Sequence, residues 1–168
     1  PEFFLAVRAA PPHPFPQRTL PTPAGSSAVF RSPAAGALHT VVANHVAKGR
    51  VIFPGAGYLE MARASRRAAL HGVFFLQPLA VEATGLLVEC AVSNGRFEVR
   101  SGAADALEGD TVHCSGGLGT ANGWQRVEHA SLRRASRMAD VAALYDSSDA
   151  VNLQYGPGYR TLVQAWGS

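Results

Sequence analysis

A histidine, a glycine and a proline occur at chemically suggestive spacing in the segment 44–65, NHVAKGRVIFPGAGYLEMARAS. His45 is followed by Gly49 and Pro54, in the pattern H-x3-G-x4-P. A neutral imidazole is the side chain best suited to remove a weakly acidic proton near neutral pH. Gly49 would let the chain turn into an apolar strand, and Pro54 would fix the entry into a helix. On spacing alone His45 is a candidate base, and a structural or surface histidine is the alternative.

The two glycines after Pro54 raise the question of a phosphate-binding turn. Gly55 and Gly57 follow a strand-like run, as in a dinucleotide-binding unit, but Glu60 stands where the third glycine should be. No Gly-Lys-Ser/Thr occurs in the sequence, so a Walker loop is excluded as well. The N-terminus of the following helix would still offer free amides and a positive dipole end. The amide of Gly55 or Ala56 is therefore a candidate to stabilise negative charge on a substrate oxygen.

A second motif lies about a hundred residues further on, in NLQYGPGYRTL. Tyr155, Gly156, Pro157 and Tyr159 form a Tyr-Gly-Pro-x-aromatic pattern. Together with the pattern at His45, and with a short HPF at 13–15, this sequence resembles the dehydratase domains of type I polyketide synthases and animal-type fatty acid synthases. The resemblance covers roughly residues 13–168, and two motifs in the correct order make it specific.

The resemblance implies a hot-dog fold, in which an antiparallel sheet wraps a central helix, and a dehydratase activity. Water would be removed from a β-hydroxyacyl thioester, giving an α,β-unsaturated thioester, with His45 as the general base. The substrate would be carried on the phosphopantetheine of an acyl carrier protein, with no directly bound cofactor and no metal. Expected partners are that carrier and neighbouring synthase domains, in a homodimer of the parent synthase. The residues implied to bind or position substrate are Gly49, Pro54, Gly55, Tyr155, Gly156 and Pro157.

The acid of such a domain is an Asp in a D-x-x-x-Q/H motif beyond Tyr-Gly-Pro, and this sequence does not contain that motif. Five aspartates from Asp105 to Asp149 precede Tyr155, and none of them opens the motif. Asn152 and Leu153 also replace the Gly and Tyr that often precede Tyr-Gly-Pro. We therefore carry over no catalytic Asp and expect the 168-residue chain alone to be inactive. A non-catalytic hot-dog scaffold, or a module for thioester binding or dimerisation, is the alternative function.

The elements that must position these residues follow from periodicity. Apolar residues at helical spacing predict a helix over 54–70, with Gly72 as its left-handed end. Three strand-like runs follow, with a hairpin at 94–95, and then another strand in DTVHCSGGLGT. One helix followed by several antiparallel strands predicts an α+β fold. Tyr58, Leu59 and Ala62 should face the sheet.

The expected organisation is a linker, one complete hot-dog unit, a connection and the start of a second, truncated unit. The residue ranges are 1–12, 13–124, 125–136 and 137–168. The chain lacks an initiator Met, which suggests that it begins inside a longer polypeptide, and it lacks a signal-peptide pattern.

Composition excludes several classes of function. The chain has 168 residues, 47% apolar and 16% charged, with a net charge of +3. The basic residues are fourteen arginines and Lys48, scattered except for groups at 63–67 and 133–137 that lack interleaved aromatics, which argues against nucleic-acid binding. No apolar run approaches the ~18–20 residues of a membrane span. Cys90 and Cys114 have neither metal-site nor disulfide-framework spacing and are expected to pack in strands, which favours a cytoplasmic setting.

Overall fold

The computed structural model of the chain describes residues 13–20, 22, 27–103, 106–120 and 128–167. The predicted linker, 1–12, lies outside these residues, and the proposed domain limits stay a prediction. The described helices are α1 (Ala37–Val42), α2 (Gly55–Arg66), α3 (His129–Arg134) and α4 (Val141–Ala150), with a 3₁₀ turn (Pro157–Tyr159). The described strands are β1 (Arg18–Leu20), β2 (Ala28–Pro33), β3 (His45–Ala47), β4 (Arg50–Val51), β5 (Ala69–Phe75), β6 (Leu86–Ser93), β7 (Arg96–Ala103), β8 (Ala106–Gly119), β9 (Arg137–Ala139), β10 (Leu153–Tyr155) and β11 (Ala165–Gly167).

An antiparallel sheet of six strands, in the order β1-β2-β6-β7-β8-β5, forms the largest layer. Helix α2 packs against β5, β6 and β7 of this sheet. A second sheet has the order β10-β3-β4, and β9 pairs with β11 in a third. This arrangement of one central helix against antiparallel strands is the α+β architecture that the sequence predicts.

Helix α2 is shorter than the predicted helix over 54–70. Pro54 is the N-cap, with φ −72° and ψ 150°, so it precedes the helix instead of lying in its first turn. The helix ends at Arg66, because Arg67 adopts the left-handed conformation with φ 50°. Ala69 and Leu70 belong instead to β5, which pairs with β8. The prediction of the helix end was wrong because Ala69 and Leu70 fit both the helical and the strand periodicity. Their pairing with β8 makes them part of a strand.

The buried face of α2 is also shifted from the predicted one. Tyr58 and Ala62 are buried, as expected, but the third large core position is Met61, which is fully buried. Leu59, which was also expected to face the sheet, is only half-buried. A helix that begins at Gly55 and packs on Tyr58, Met61 and Ala62 turns Leu59 towards the edge of this face.

The predicted hairpin is confirmed, and a glycine of β8 leaves room for a core side chain. Asn94 and Gly95 join β6 to β7 with φ values of 50° and 70°, as a two-residue hairpin turn requires. A Cβ on Gly116 would lie 2.7 Å from the ring of Phe97, a core residue. Glycine at position 116 of β8 therefore leaves room for the ring of Phe97, its paired residue on β7.

His71 and Gly72 lie in β5 and not at the end of α2. His71 pairs with Gly117, where an added Cβ would meet the imidazole ring at 2.2 Å. Gly72 has φ +54° and lies where the β5–β8 register shifts between His71 and Phe74. Gly72 thus has the left-handed conformation that was predicted, but at a β-bulge in β5 and not at the end of α2.

Cys90 and Cys114 are free, buried thiols on β6 and β8, in agreement with the prediction that they pack in strands. Burial raises the pKa of each thiol to about 11, so both stay protonated. None of the described helices is long and apolar enough to cross a membrane.

His113 is a buried histidine between the sheet and α2. It is 3% exposed, its Nδ1–H donates to the Gln77 carbonyl at 3.1 Å, and its Nε2 accepts from Ser101 Oγ at 2.8 Å. The ring stacks on Tyr58, with an interplanar angle of 8°. Burial lowers the pKa of His113 below its usual value, because the charged form would be poorly solvated. The folded chain therefore holds this imidazole neutral.

We expect His113 to make the chain less stable in mild acid. The unfolded chain takes up a proton as the pH falls through about 6.5, while the folded chain resists it, so the free energy of unfolding decreases. Urea unfolding of the wild type and of His113→Gln between pH 7.5 and 5 measures this effect, with the surface variant His129→Gln as control. The acid-dependent loss should be smaller in His113→Gln, and an equal loss in all three proteins would contradict the assignment.

Candidate active site

His45 is held at the start of β3 by two contacts with Ile52. The Ile52 amide donates to the His45 carbonyl at 3.0 Å, and the His45 ring Nδ1 lies 2.7 Å from the Ile52 carbonyl. A carbonyl oxygen only accepts hydrogen bonds, so Nδ1 must carry the proton in this contact. In the neutral ring, Nε2 is then left with its lone pair available. The local backbone thus selects the tautomer that a general base needs.

A tight turn joins the His45 strand to β4. Lys48 and Gly49 occupy it with φ values of 51° and 74°. Nothing lies within 4 Å of a Cβ built on Gly49, so glycine is needed there for its backbone conformation and not for space. Gly49 therefore lets the chain reverse so that Ile52 lies beside His45.

The hairpin of β3 and β4 is fixed to the body of the fold. The Phe53 amide donates to the Leu79 carbonyl at 2.8 Å, and the Val81 amide donates to the Val51 carbonyl at 2.9 Å. Phe53 is buried and packs on Tyr58 of α2, with ring centroids 4.8 Å apart. The His45 strand is therefore held in place by the core.

Helix α2 begins three residues after the carbonyl that holds the His45 ring. The Pro54 carbonyl accepts from the amides of Gly57 at 2.8 Å and Tyr58 at 3.4 Å. The amides of Gly55 and Ala56 precede these first helical bonds, as two of the amides without an intrahelical partner. Three residues span at most about 11 Å, so the helix start lies within that distance of Ile52, whose carbonyl holds the His45 ring.

Tyr155 is brought directly opposite His45 by the pairing of β10 with β3. The Gly156 amide donates to the Asn44 carbonyl at 2.8 Å, which makes Tyr155 and His45 a non-hydrogen-bonded pair, the closer kind in an antiparallel sheet. Their ring centroids are 5.8 Å apart, and the ring of Tyr159 lies 5.5 Å from that of His45. Two phenol rings therefore pack beside the imidazole.

Gly156 and Pro157 shape the turn that carries the second tyrosine. A Cβ on Gly156 would lie 2.1 Å from Asn44 Oδ1 and 2.9 Å from Asn44 Cβ, so only glycine fits against Asn44. Pro157 opens the 3₁₀ turn, in which the Tyr159 amide donates to the Gly156 carbonyl at 2.9 Å. The turn thus returns Tyr159 to the His45 ring.

The ionisable side chains of this region include Tyr159, Asp140 and Asp149. Burial raises the pKa of Tyr159, so its hydroxyl stays protonated and can donate a hydrogen bond. Two aspartates near the site have structural partners: Asp140 caps α4 by accepting from two amides of its first turn, and Asp149 pairs with Arg160 at 3.1 Å. Among the described residues, no three His, Cys, Asp or Glu side chains form a group that could hold a metal ion.

The structure brings His45, Tyr155, Gly156 and Pro157 together. It places Gly49 in the turn of the β3–β4 hairpin and Pro54 between that hairpin and α2. Sequence reasoning missed Asn44, which fits against Gly156, and it named Tyr159 only as part of a motif. The adjacency of Asn44 to His45 was the available signal, but cross-strand contacts with a turn a hundred residues away cannot be read from local spacing.

Comparisons with known proteins identify the family of the chain. A sequence model of the polyketide synthase dehydratase domain matches residues 13–102. Polyketide synthase ThaG of Burkholderia thailandensis is 30% identical over 146 residues, covering 74% of this chain and 3% of that protein. Mycoketide-CoA synthase of Mycobacterium tuberculosis is 28% identical over 148 residues, covering 84% of this chain and 3% of that protein.

Solved structures show the same fold. The dehydratase domain of the CurJ module of the curacin polyketide synthase has a TM-score of 0.78 at 25% identity, covering 93% of this chain and 58% of that one. The corresponding CurK domain has a TM-score of 0.76 at 21% identity, covering 93% and 60%. The predicted hot-dog fold, as the first part of a double hot dog, is confirmed.

The family match and the fold thus define a dehydratase-type hot-dog domain. The chain belongs to the polyketide synthase dehydratase domain family and corresponds to the N-terminal part of such a domain. It spans about 60% of the solved dehydratase domains and 3% of the two synthases named above.

Proposed function

We propose that this chain supplies the basic half of a dehydratase site that acts on a carrier-bound β-hydroxyacyl thioester. The observation that carries the proposal is the hydrogen bond from His45 Nδ1 to the Ile52 carbonyl, at 2.7 Å, because it leaves Nε2 as a proton acceptor. This imidazole lies beside Tyr155 and Tyr159 and near the start of α2.

In the proposed reaction, His45 Nε2 removes the proton from the α-carbon of the thioester. The electron pair of that C–H bond moves towards the carbonyl, and negative charge develops on the thioester oxygen. The amide of Gly55 or Ala56 would donate to this oxygen, with the positive end of the α2 dipole behind it. The double bond then forms as the β-hydroxyl leaves with a proton, as water.

The other proposed site residues bind or position the substrate. Gly49 and Pro54 set the path of the chain around His45, and Gly55 lets the acyl group approach the helix start. Tyr155, Gly156 and Pro157 would form a wall of the pocket beside the imidazole. Support comes from the pairing of Tyr155 with His45 and from the close fit of Gly156 against Asn44.

The proton for the departing hydroxyl must come from an acid. Asp140 and Asp149 have structural partners, which supports an acid from the part of a dehydratase domain that this chain does not span. Two of the solved CurK dehydratase structures are of variants described as inactive, one with a histidine replaced by phenylalanine and one with an aspartate replaced by asparagine. We therefore propose that the chain alone does not turn over substrate.

The proposed partners follow from the family. The substrate would arrive on the phosphopantetheine of an acyl carrier protein, and no separately bound cofactor is needed for the elimination. Neighbouring synthase domains, a homodimeric parent and a cytoplasmic setting belong to the same proposal.

Turnover by two proteins tests this function. One is the 168-residue chain, and the other is a longer polypeptide that carries it together with a second half of the length seen in the solved dehydratase domains. Each is incubated with a β-hydroxyacyl thioester on a carrier protein, and the loss of one water is followed by mass spectrometry.

We expect enoyl thioester from the longer protein and a rate lower by orders of magnitude from the chain alone. Thioester binding without turnover by the longer protein would contradict the proposal and favour the non-catalytic binding scaffold. Equal rates from the two proteins would contradict the need for an acid outside this chain.

A further inference from the structure

The carbonyl of Tyr155 lies on the open side of a sheet. Strand β10 is an edge strand, because the order of its sheet is β10-β3-β4. Since Tyr155 and His45 form a non-hydrogen-bonded pair, the Tyr155 carbonyl points away from β3, towards the side on which none of the described strands pairs with β10. The backbone beside the imidazole therefore needs a hydrogen-bond donor from outside the sheet.

Arg160 supplies that donor and holds two further groups. Its Nε donates to the Tyr155 carbonyl at 2.8 Å, and its terminal Nη2 lies 3.1 Å from Asp149 Oδ2. The guanidinium carbon is also 5.4 Å from the centre of the Tyr145 ring, on its face. One side chain thus joins the end of β10 to two residues of α4.

Tyr145 and Asp149 lie on one face of α4, the face that contacts Tyr155 and Arg160. Tyr145 and Asp149 are four residues apart, the spacing of neighbours on a helix surface. The Tyr145 ring meets that of Tyr155 edge-on at 6.1 Å, and its hydroxyl accepts from the Leu162 amide at 3.0 Å. Helix α4 therefore packs against Tyr155, and Arg160 connects this helix to the Tyr155 carbonyl.

We infer that Arg160 is a positioning residue, which fixes Tyr155 and the turn carrying Tyr159 against the His45 ring by clamping the β10 carbonyl to α4. It does not touch the reacting atoms. The kinetic part of this inference rests on the function proposed above, whereas the structural part stands on the contacts alone.

The geometry calls for arginine in particular. The planar guanidinium offers separate N–H groups to the carbonyl and to the carboxylate while its face covers the Tyr145 ring. A lysine ammonium is a point charge that can satisfy one of these partners well. Arg160→Lys should therefore retain part of the clamp, and Arg160→Gln should lose most of it.

Amide hydrogen exchange of the 168-residue chain, resolved by NMR, tests the clamp without any assay of activity. The reporter is the Gly156 amide, which bonds to the Asn44 carbonyl across β10 and β3, and the amides of β6 and β7 are the reference. In Arg160→Gln we expect about tenfold faster exchange at Gly156 and little change in the reference. Arg160→Lys and Asp149→Asn should lie between this variant and the wild type.

Arg63→Gln is the matched control, because Arg63 is an exposed arginine with a carboxylate partner, Glu60 at 3.4 Å, on α2. An unchanged Gly156 rate in Arg160→Gln would overturn the inference. So would equal acceleration of β6 and β7, since that pattern indicates a general loss of stability, and so would the same acceleration at Gly156 in Arg63→Gln.

Steady-state kinetics of the longer dehydratase protein then tests the link to catalysis. We expect Arg160→Gln to lower kcat about tenfold or more with little change in KM, because misplaced groups beside the base weaken the transition state most. Arg160→Lys should recover part of kcat. A raised KM with unchanged kcat would overturn the positioning role. Absence of turnover in the wild type would count against the proposed function, and the exchange rates would still decide the clamp.

Discussion

Replacing His45 by glutamine is expected to slow dehydration by about 10²–10⁴-fold, the usual cost of losing a general base. Glutamine can still donate a hydrogen bond towards the Ile52 carbonyl, but its amide has no basic nitrogen to take the place of Nε2. The change should leave the fold intact, because His45 is only half-buried. Enoyl thioester formation by the longer dehydratase protein, together with its circular dichroism spectrum, measures both expectations.

His129→Gln is the control for this substitution. His129 is an exposed histidine at the start of α3, so its loss removes an imidazole without touching the site. This variant should retain the rate of the wild type. Turnover of His45→Gln at the wild-type rate would remove His45 from the mechanism and, with it, the tautomer argument.

Met61→Ala is expected to lower the free energy of unfolding by about 2–5 kcal/mol. Met61 is fully buried on the face of α2 that meets the sheet, so truncation leaves a cavity in the centre of the core. Leu59→Ala, two residues away, should cost about 1 kcal/mol, because Leu59 is half-buried and keeps part of its contact with water. Denaturant unfolding of the 168-residue chain gives both values.

The comparison of these two variants tests how α2 is rotated against the sheet. Both remove a large apolar side chain from the same helix, so helix propensity changes similarly and burial accounts for most of the difference. A larger loss of stability for Leu59→Ala than for Met61→Ala would show that the helix presents a different face.

The elements around the site were predictable where one local signal dominated. Asn94-Gly95 predicts a hairpin because both residues accept positive φ, and the structure has that turn. The start of α2 was predicted to within one residue because Pro54 cannot donate to a preceding turn. The end of α2 was not predictable, since Arg67 takes a left-handed conformation that favours glycine and β5 begins two residues later.

The candidate site was predictable in its residue types and not in its connections. The pattern at His45 and the Tyr-Gly-Pro pattern identify the residues, but neither shows that Tyr155 lies opposite His45. The protonated nitrogen of His45 depends on the Ile52 carbonyl, and the fit of Gly156 depends on Asn44. Such contacts arise from strand pairing, which sequence spacing cannot specify over long separations.

The pairing of β10 with β3 has a consequence for the order of events during synthesis. Tyr155 leaves the ribosome 110 residues after His45, and at about 5–20 residues per second that interval lasts about 5–20 s. During this interval the outer edge of β3 has no strand beside it, while the strands β5 to β8 and the helix they surround can already associate. Vectorial synthesis therefore supplies the strand that pairs with His45 only after the strands β5 to β8 have been made.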